Sequence, residues 1–378
     1  MVQQTPDQQF QAALAALIAQ YILVEQQLLG AVARILQQVT PDPITQLRAL
    51  SSLRRLVHQV NLRLVRQDAS LVPLLARLSI RAGEHDAGTE LARIGGGGRK
   101  PPGTDLTLSG EPFDFSIPHG IRSVQAIRDD LMSPLEDVRR RLTRLPDDIY
   151  KIISPPAGAG QVLGEGYTPA QAQAYAWREY VRRGVTGFTD RSGRDWSLSA
   201  YVEMSVRTTA MRAYNDSHMQ VMTAAGIDLF TVSDDGHPCP LCFPWQNRIL
   251  SLTEDSRAHA TIDQARAAGL WHPNCRHVLL TYLPGVTHLP EPQEWTPDDQ
   301  VKYDLTQKQR RLELEIRKAK RSLEYARTGE ARADARADVL AAQARMRAFI
   351  NETGLLRRSR REQLDLTDPT IKMPTPIR

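Results

Sequence analysis

Two short runs constrain this chain more than anything else in it: His237-Pro238-Cys239-Pro240-Leu241-Cys242 and His272-Pro273-Asn274-Cys275-Arg276-His277. A loop of 29 residues separates Cys242 from His272, and all three cysteines of the protein fall inside the two runs. A Cys-x-x-Cys turn brings two thiolates to one point, and a His-x-x-Cys turn brings a nitrogen and a third sulfur, so four ligands can close a tetrahedron around Zn²⁺. Pro238, Pro240 and Pro273 restrict φ beside the ligands and reduce the entropy that metal binding must overcome. The spacing therefore predicts a structural zinc site of Cys239, Cys242, His272 and Cys275. His277 and His237 compete for the nitrogen position from one turn away.

Other uses of these thiols remain open. A Cys-x-x-Cys can be a redox pair, but no strand leading into a thioredoxin-type helix precedes it. Three buried thiols can also act as small hydrophobes. An odd cysteine count argues against an extracellular disulfide framework and for a reducing compartment. The N-terminus lacks the basic region of a signal peptide, and Gln11, Gln20 and Glu25 interrupt its apolar run, so no membrane role is expected. The net charge of +5 is modestly basic. Aromatic residues make up only 6% while Ala, Leu, Gln and Arg abound, which favours helices.

The expected fold class is mainly α: long helices and helical hairpins around a small zinc-stapled α+β module. Residues 1–94 read as an N-terminal helical unit of three helices, over 8–40, Ile44 to Asp68 and Ala69 to Gly83. Residues 95–116, with four consecutive glycines from Gly95 and then Pro101-Pro102-Gly103, read as a linker. A central helical domain spans 117–226. In it Arg128, Arg139, Arg140, Arg141 and Arg144 alternate with Asp129, Asp130, Glu136 and Asp137 as a solvated face. Pro155 to Gly166 is a loop, Thr168-Pro169 opens a helix, and Ser197 or Ser199 caps the next. The zinc-stapled α+β module occupies 227–295, with strands expected at Ile227 to Ser233, Arg248 to Leu252 and Val278 to Tyr282. Thr296-Pro297 begins a basic helical hairpin over 296–365, broken near Thr328-Gly329 and ended by Gly354. Residues 366–378 form a tail. Arg357, Arg358, Arg360 and Arg361 form a basic cluster and are candidates for contacting nucleic-acid phosphates.

Several short motifs occur in one order: Val206-Arg207-Thr208-Thr209, Gly226-Ile227-Asp228, Thr231-Val232-Ser233, Cys239-Pro240-Leu241-Cys242, Trp245-Gln246, Ile249 to Leu252, His272 to His277 and Leu283-Pro284-Gly285. With Tyr303 to Arg317 and Thr353 to Gln363, the set resembles the minor capsid or head-morphogenesis proteins of tailed bacteriophages over roughly residues 170–365. The resemblance implies a virion component made in the host cytoplasm and placed at the portal or inner capsid. Portal, major capsid or scaffolding proteins would be its partners, with packaged DNA and further copies of itself as additional contacts. Related head proteins often read His-Pro-Asn-Cys-Arg-Cys, whereas His277 stands at the last position here. Two enzymatic alternatives accompany this structural reading. His272 or His277 could serve as general base of a metal-dependent His-Asn-His nuclease. Some related head proteins also look like ADP-ribosyltransferases, and Glu313-Leu314-Glu315 has that spacing but lies within a long charged helix.

Overall fold

The computed structural model describes residues 5–39, 42–96, 123–153, 169–185, 188–189, 195–234, 239–273, 275 and 277–364. Most of the linker at 95–116, the loop at 155–166, the tail and His237 lie outside the described residues. Helix α1 (Pro6–Gln37) starts in a capping box: the Thr5 hydroxyl accepts from the Gln8 amide, and the Gln8 side chain returns to the Thr5 amide. Its apolar side, including Phe10, Leu14, Leu17, Tyr21 and Leu28, is buried. By length and composition α1 could cross a membrane, but over half of its most apolar window is buried inside the protein.

Helix α2 (Pro43–Gly96) corrects the expectation of two helices over 44–83: it runs unbroken for 54 residues, through Pro73. At about 1.5 Å per residue it is about 80 Å long. Proline removes one hydrogen bond and crowds the carbonyl four residues back, at Ala69. Packing on both sides of that point holds the helix together, since Asp68, Val72, Leu75 and Ala76 are all fully buried. Helices α3 (Val124–Leu142), α4 (Leu145–Ile153) and α6 (Leu198–Ala224) lie against α2. Helix α4 was not anticipated as a separate element. Helices α2 and α6 cross at Gly83, where any Cβ would stand 2.3 Å from the Tyr214 carbonyl oxygen.

Arg139 departs from the expected solvated face. It turns inward to pair with Asp68, which also accepts from the Tyr21 hydroxyl at 2.8 Å, so one buried polar triad joins α1, α2 and α3. Burial requires such pairing, because an uncompensated charge there would cost several kcal/mol.

Helix α5 (Pro169–Arg183) follows, and Phe188–Thr189 (β1) pairs with Asp195–Trp196 (β2). The cap of α6 is Ser197 rather than Ser199: its hydroxyl accepts from the Ala200 amide. Helix α6 delivers the chain to a four-stranded sheet of β3 (Leu229–Val232), β4 (Leu250–Ser251), β5 (Ala260–Thr261) and β6 (Leu279–Thr281), in the order β5-β4-β3-β6. Strand β3 is antiparallel to both neighbours. A short helix α7 (Ile262–Ala267), with a Thr261–Gln264 capping box, lies between β5 and the second candidate turn. The sheet packs on the ends of α2 and α6 through Ala87, Met219 and Met222.

Helices α8 (Pro297–Glu324) and α9 (Gly329–Thr353) form the expected C-terminal hairpin, which closes on Ile316, Ala319, Val339, Ala342, Met346 and Phe349. Gly354 ends α9 at φ 67°, a conformation that glycine adopts without strain. The hairpin docks on α5 through Arg178 and Arg182, which pair with Asp338, and through the Trp177 indole, which donates to the Tyr325 carbonyl at 2.8 Å.

Candidate metal centre

The first turn leaves the central strand β3 and closes on itself. The Cys239 carbonyl accepts from the amides of Cys242 at 3.1 Å and Phe243 at 2.8 Å, which folds Cys-x-x-Cys into a tight knuckle ahead of the 3₁₀ turn Phe243–Trp245. The second turn follows α7. Trp271 takes a left-handed φ of 58°, and the Cys275 amide then donates to the His272 carbonyl at 2.9 Å. Four residues later the chain enters β6, next to β3. Neighbouring strands thus hold the two turns side by side.

The donor atoms converge. Cys239 Sγ lies 3.1 Å from His272 Nε2, Cys242 Sγ 3.5 Å from Cys275 Sγ, and Cys275 Sγ 3.3 Å from His277 Nδ1. Cys239, Cys242 and His272 form one group, and Cys242, Cys275 and His277 a second, each with its donor atoms within 4.8 Å of one another. These five residues lie close enough to bind a metal. Zn–S bonds of about 2.3 Å and Zn–N bonds of about 2.0–2.1 Å would give tetrahedral edges of about 3.5–3.8 Å, near the separations seen. Cys242, Cys275 and His277 are buried, while Cys239 and His272 are half-buried at the mouth.

Electrostatics matches a site that holds thiolates. The Cys242 hydrogen bond, reinforced by His272, pulls the Cys239 thiol down to about 3. Cys275 is pulled down to about 5, by Cys242 first and then by His277. Cys242 is driven upward by its contacts with the same two thiols and by burial. His272 is raised, chiefly by its contact with Cys239. Without a cation the three thiols must share protons, whereas a divalent ion would let all three ionise.

Residues outside the two motifs hold the site in place. The Asn215 amide on α6 spans the start of β6, accepting from the Leu279 amide at 3.2 Å and donating to the His277 carbonyl at 3.3 Å. Glu90 on α2 accepts from the Thr281 amide at 3.1 Å and meets His218 Nε2 at 2.9 Å. Together they satisfy the outer edge of β6 in place of another strand. The Trp271 indole also donates to the His277 carbonyl, at 3.0 Å, and Gln246 Nε2 lies 2.9 Å from His277 Nε2. Sequence reading missed Asn215 and Glu90, because nothing in a helical pattern marks which polar residue will meet a strand edge.

The remaining candidates are placed elsewhere. Arg357 makes a two-pronged pair with Glu362, at 2.7 and 2.6 Å. Arg358 binds Glu313 at 3.0 Å and Gln309 at 2.9 Å, and Arg361 lies 4.0 Å from Glu313. Glu313 and Glu362 are buried, so three of these four arginines pair with carboxylates of the chain itself; Arg360 is exposed. Glu313 is thus enclosed by arginines, and Glu315 pairs with Arg182 and Lys318. Both histidine rings suggested as a nuclease base point into the sulfur cluster.

The sequence model of the family described as phage minor capsid protein 2 matches residues 120–351, more than half of the chain and all of the metal centre. A curated structural protein of Lactococcus phage LL-H is 28% identical over 204 residues, covering 50% of this chain and 55% of that protein. The chain therefore spans about half the length of this curated relative. No solved structure matches it.

Proposed function

The chain belongs to the phage minor capsid protein 2 family, and from that membership we propose that it is a non-enzymatic component of a tailed-phage head, acting in head assembly at the portal or inner capsid. That it is a structural phage protein carries over from the family and its curated relative. The finer placement is our reading, as are its partners: portal protein and major capsid or scaffolding protein, with packaged DNA and further copies of this chain as additional contacts. The single observation that carries the reading is the family match across helices α3 to α6, the sheet and most of the C-terminal hairpin. Mass spectrometry of purified virions tests it. Co-purification with portal and major capsid proteins is expected, and absence from intact heads overturns it.

We further propose that Cys239, Cys242, His272 and Cys275 hold one structural Zn²⁺. Three converging sulfurs with one nitrogen form a donor set typical of structural zinc, in which all four positions come from protein. His272 is prepared for this: a carbonyl only accepts, so the 2.9 Å contact between its Nδ1 and the Pro273 oxygen places the proton on Nδ1 and leaves the Nε2 lone pair facing the sulfurs. Such an ion would hold the junction between the helical core and the sheet and supply no open position for substrate. One tightly held zinc per chain is the expected metal content. Mg²⁺- or Mn²⁺-dependent DNA cleavage abolished by His277→Ala would favour the nuclease instead.

A further inference from the structure

Five donors fall into two groups of three that share Cys242, whereas one tetrahedral ion takes four, and the hydrogen bonds around the two histidines separate their roles. We propose that His277 is not a metal ligand but a positioning residue whose Nδ1–H donates to the Cys275 thiolate, with its tautomer set by the Gln246 amide. The inference rests on the metal reading above.

An amide nitrogen only donates, so Gln246 Nε2, 2.9 Å from His277 Nε2, requires a lone pair on that ring nitrogen. The ring proton then sits on Nδ1, which faces Cys275 Sγ at 3.3 Å. That is an N–H···S⁻ geometry and leaves Nδ1 no lone pair for a cation. His272 has the opposite arrangement, with its proton held by Pro273 and its lone pair directed at the cluster.

Charge balance supplies the reason. Three thiolates, one neutral imidazole and Zn²⁺ sum to a net charge of −1, in a site where Cys242 and Cys275 are buried. A buried surplus charge needs hydrogen-bond donors, and bonds to an ionised acceptor are about twice as strong as neutral ones. His277 supplies one, and its backbone is fixed for the purpose by the Trp271 and Asn215 bonds to its carbonyl. Turned over, the Gln246 amide would accept from Nε2 and free Nδ1 to bind metal, which is the alternative the test separates.

The test uses the full chain loaded with Co²⁺, whose visible ligand-field bands report the donor set, together with competition against a chelator. His272→Ala should shift the bands, because a nitrogen ligand is lost. His277→Leu and Gln246→Leu should keep the parent bands while weakening affinity about 10–100-fold, as loss of a partner behind the ligands does. Circular dichroism checks folding; if His277→Leu does not fold, His272→Ala carries the test, because its bands would stay at the parent position if His277 were the nitrogen ligand. Bands that shift in the folded His277→Leu or Gln246→Leu chain, or affinity within twofold of the parent, overturn the proposal. A parent chain that takes up no Co²⁺ overturns the metal reading itself, a result seen before any variant is made.

Discussion

Cys242 belongs to both donor groups, and its side chain is the most enclosed of the three thiols. Cys242→Ser should therefore abolish metal binding, more completely than changes at the half-buried Cys239. Elemental analysis should find less than one metal per ten chains, against one per chain in the parent. Structural zinc in small peptides contributes about 10–16 kcal/mol of apparent free energy at neutral pH, so the metal-free module should lose its local fold. Glu90 sets a second expectation at this scale. Burial pushes its carboxyl up, but bonds from His218 and Thr281 outweigh that and hold it below the usual glutamate range. A carboxyl depressed by folding contributes stability that is present above its unfolded value near 4.5 and lost as pH falls through the folded one. Glu90→Gln should accordingly flatten the acid-side loss of stability below about pH 5, read by denaturant melts across pH. Asp68, raised by burial, acts with the opposite sign, so the parent chain's profile is a sum and only the difference between variants isolates Glu90.

Among the elements, α2 shows best where sequence and structure part. Pro73 lies in its interior, and a proline there costs about 3 kcal/mol relative to a good helix former. Pro73→Ala should raise stability by about 1–3 kcal/mol in chemical denaturation, less than the full amount because the unfolded chain also gains freedom. Gly83→Ala should act in the other direction. Its Cβ would overlap the Tyr214 carbonyl, and forcing apart the crossing of α2 and α6 should cost about 1–3 kcal/mol or more. The starts of α6 and α8 were legible because Ser197 and Thr296 cap them with their own side chains, a signal carried by neighbouring residues, whereas the Thr5 and Thr328 caps of α1 and α9 went unread. The continuity of α2 was not legible, since it depends on partners contributed by α1, α3 and α6.

Across the whole molecule, the proposed metal centre sits where the sheet meets the ends of two core helices, so loss of the ion should have a local effect. Chelation should change the fluorescence of Trp245 and Trp271 while leaving most of the helical circular dichroism intact; collapse of the helical signal would show that the core depends on the ion. The basic C-terminal cluster shows the same dependence on long-range partners. Four arginines in five residues look like a nucleic-acid surface, yet Arg357, Arg358 and Arg361 meet the buried Glu313 and Glu362. The sequence by itself marked the candidate cysteine and histidine donors, several helix starts, the mainly α class and the family resemblance, because each rests on residue types at fixed short spacings. Only the tertiary structure decided that α2 is one helix, that Arg139 turns inward to Asp68, that Asn215 and Glu90 clamp the edge of β6, and how the two histidines face the sulfurs. Those depend on groups far apart in the chain, and an acceptor or a charge meets its partner only after the helices have packed.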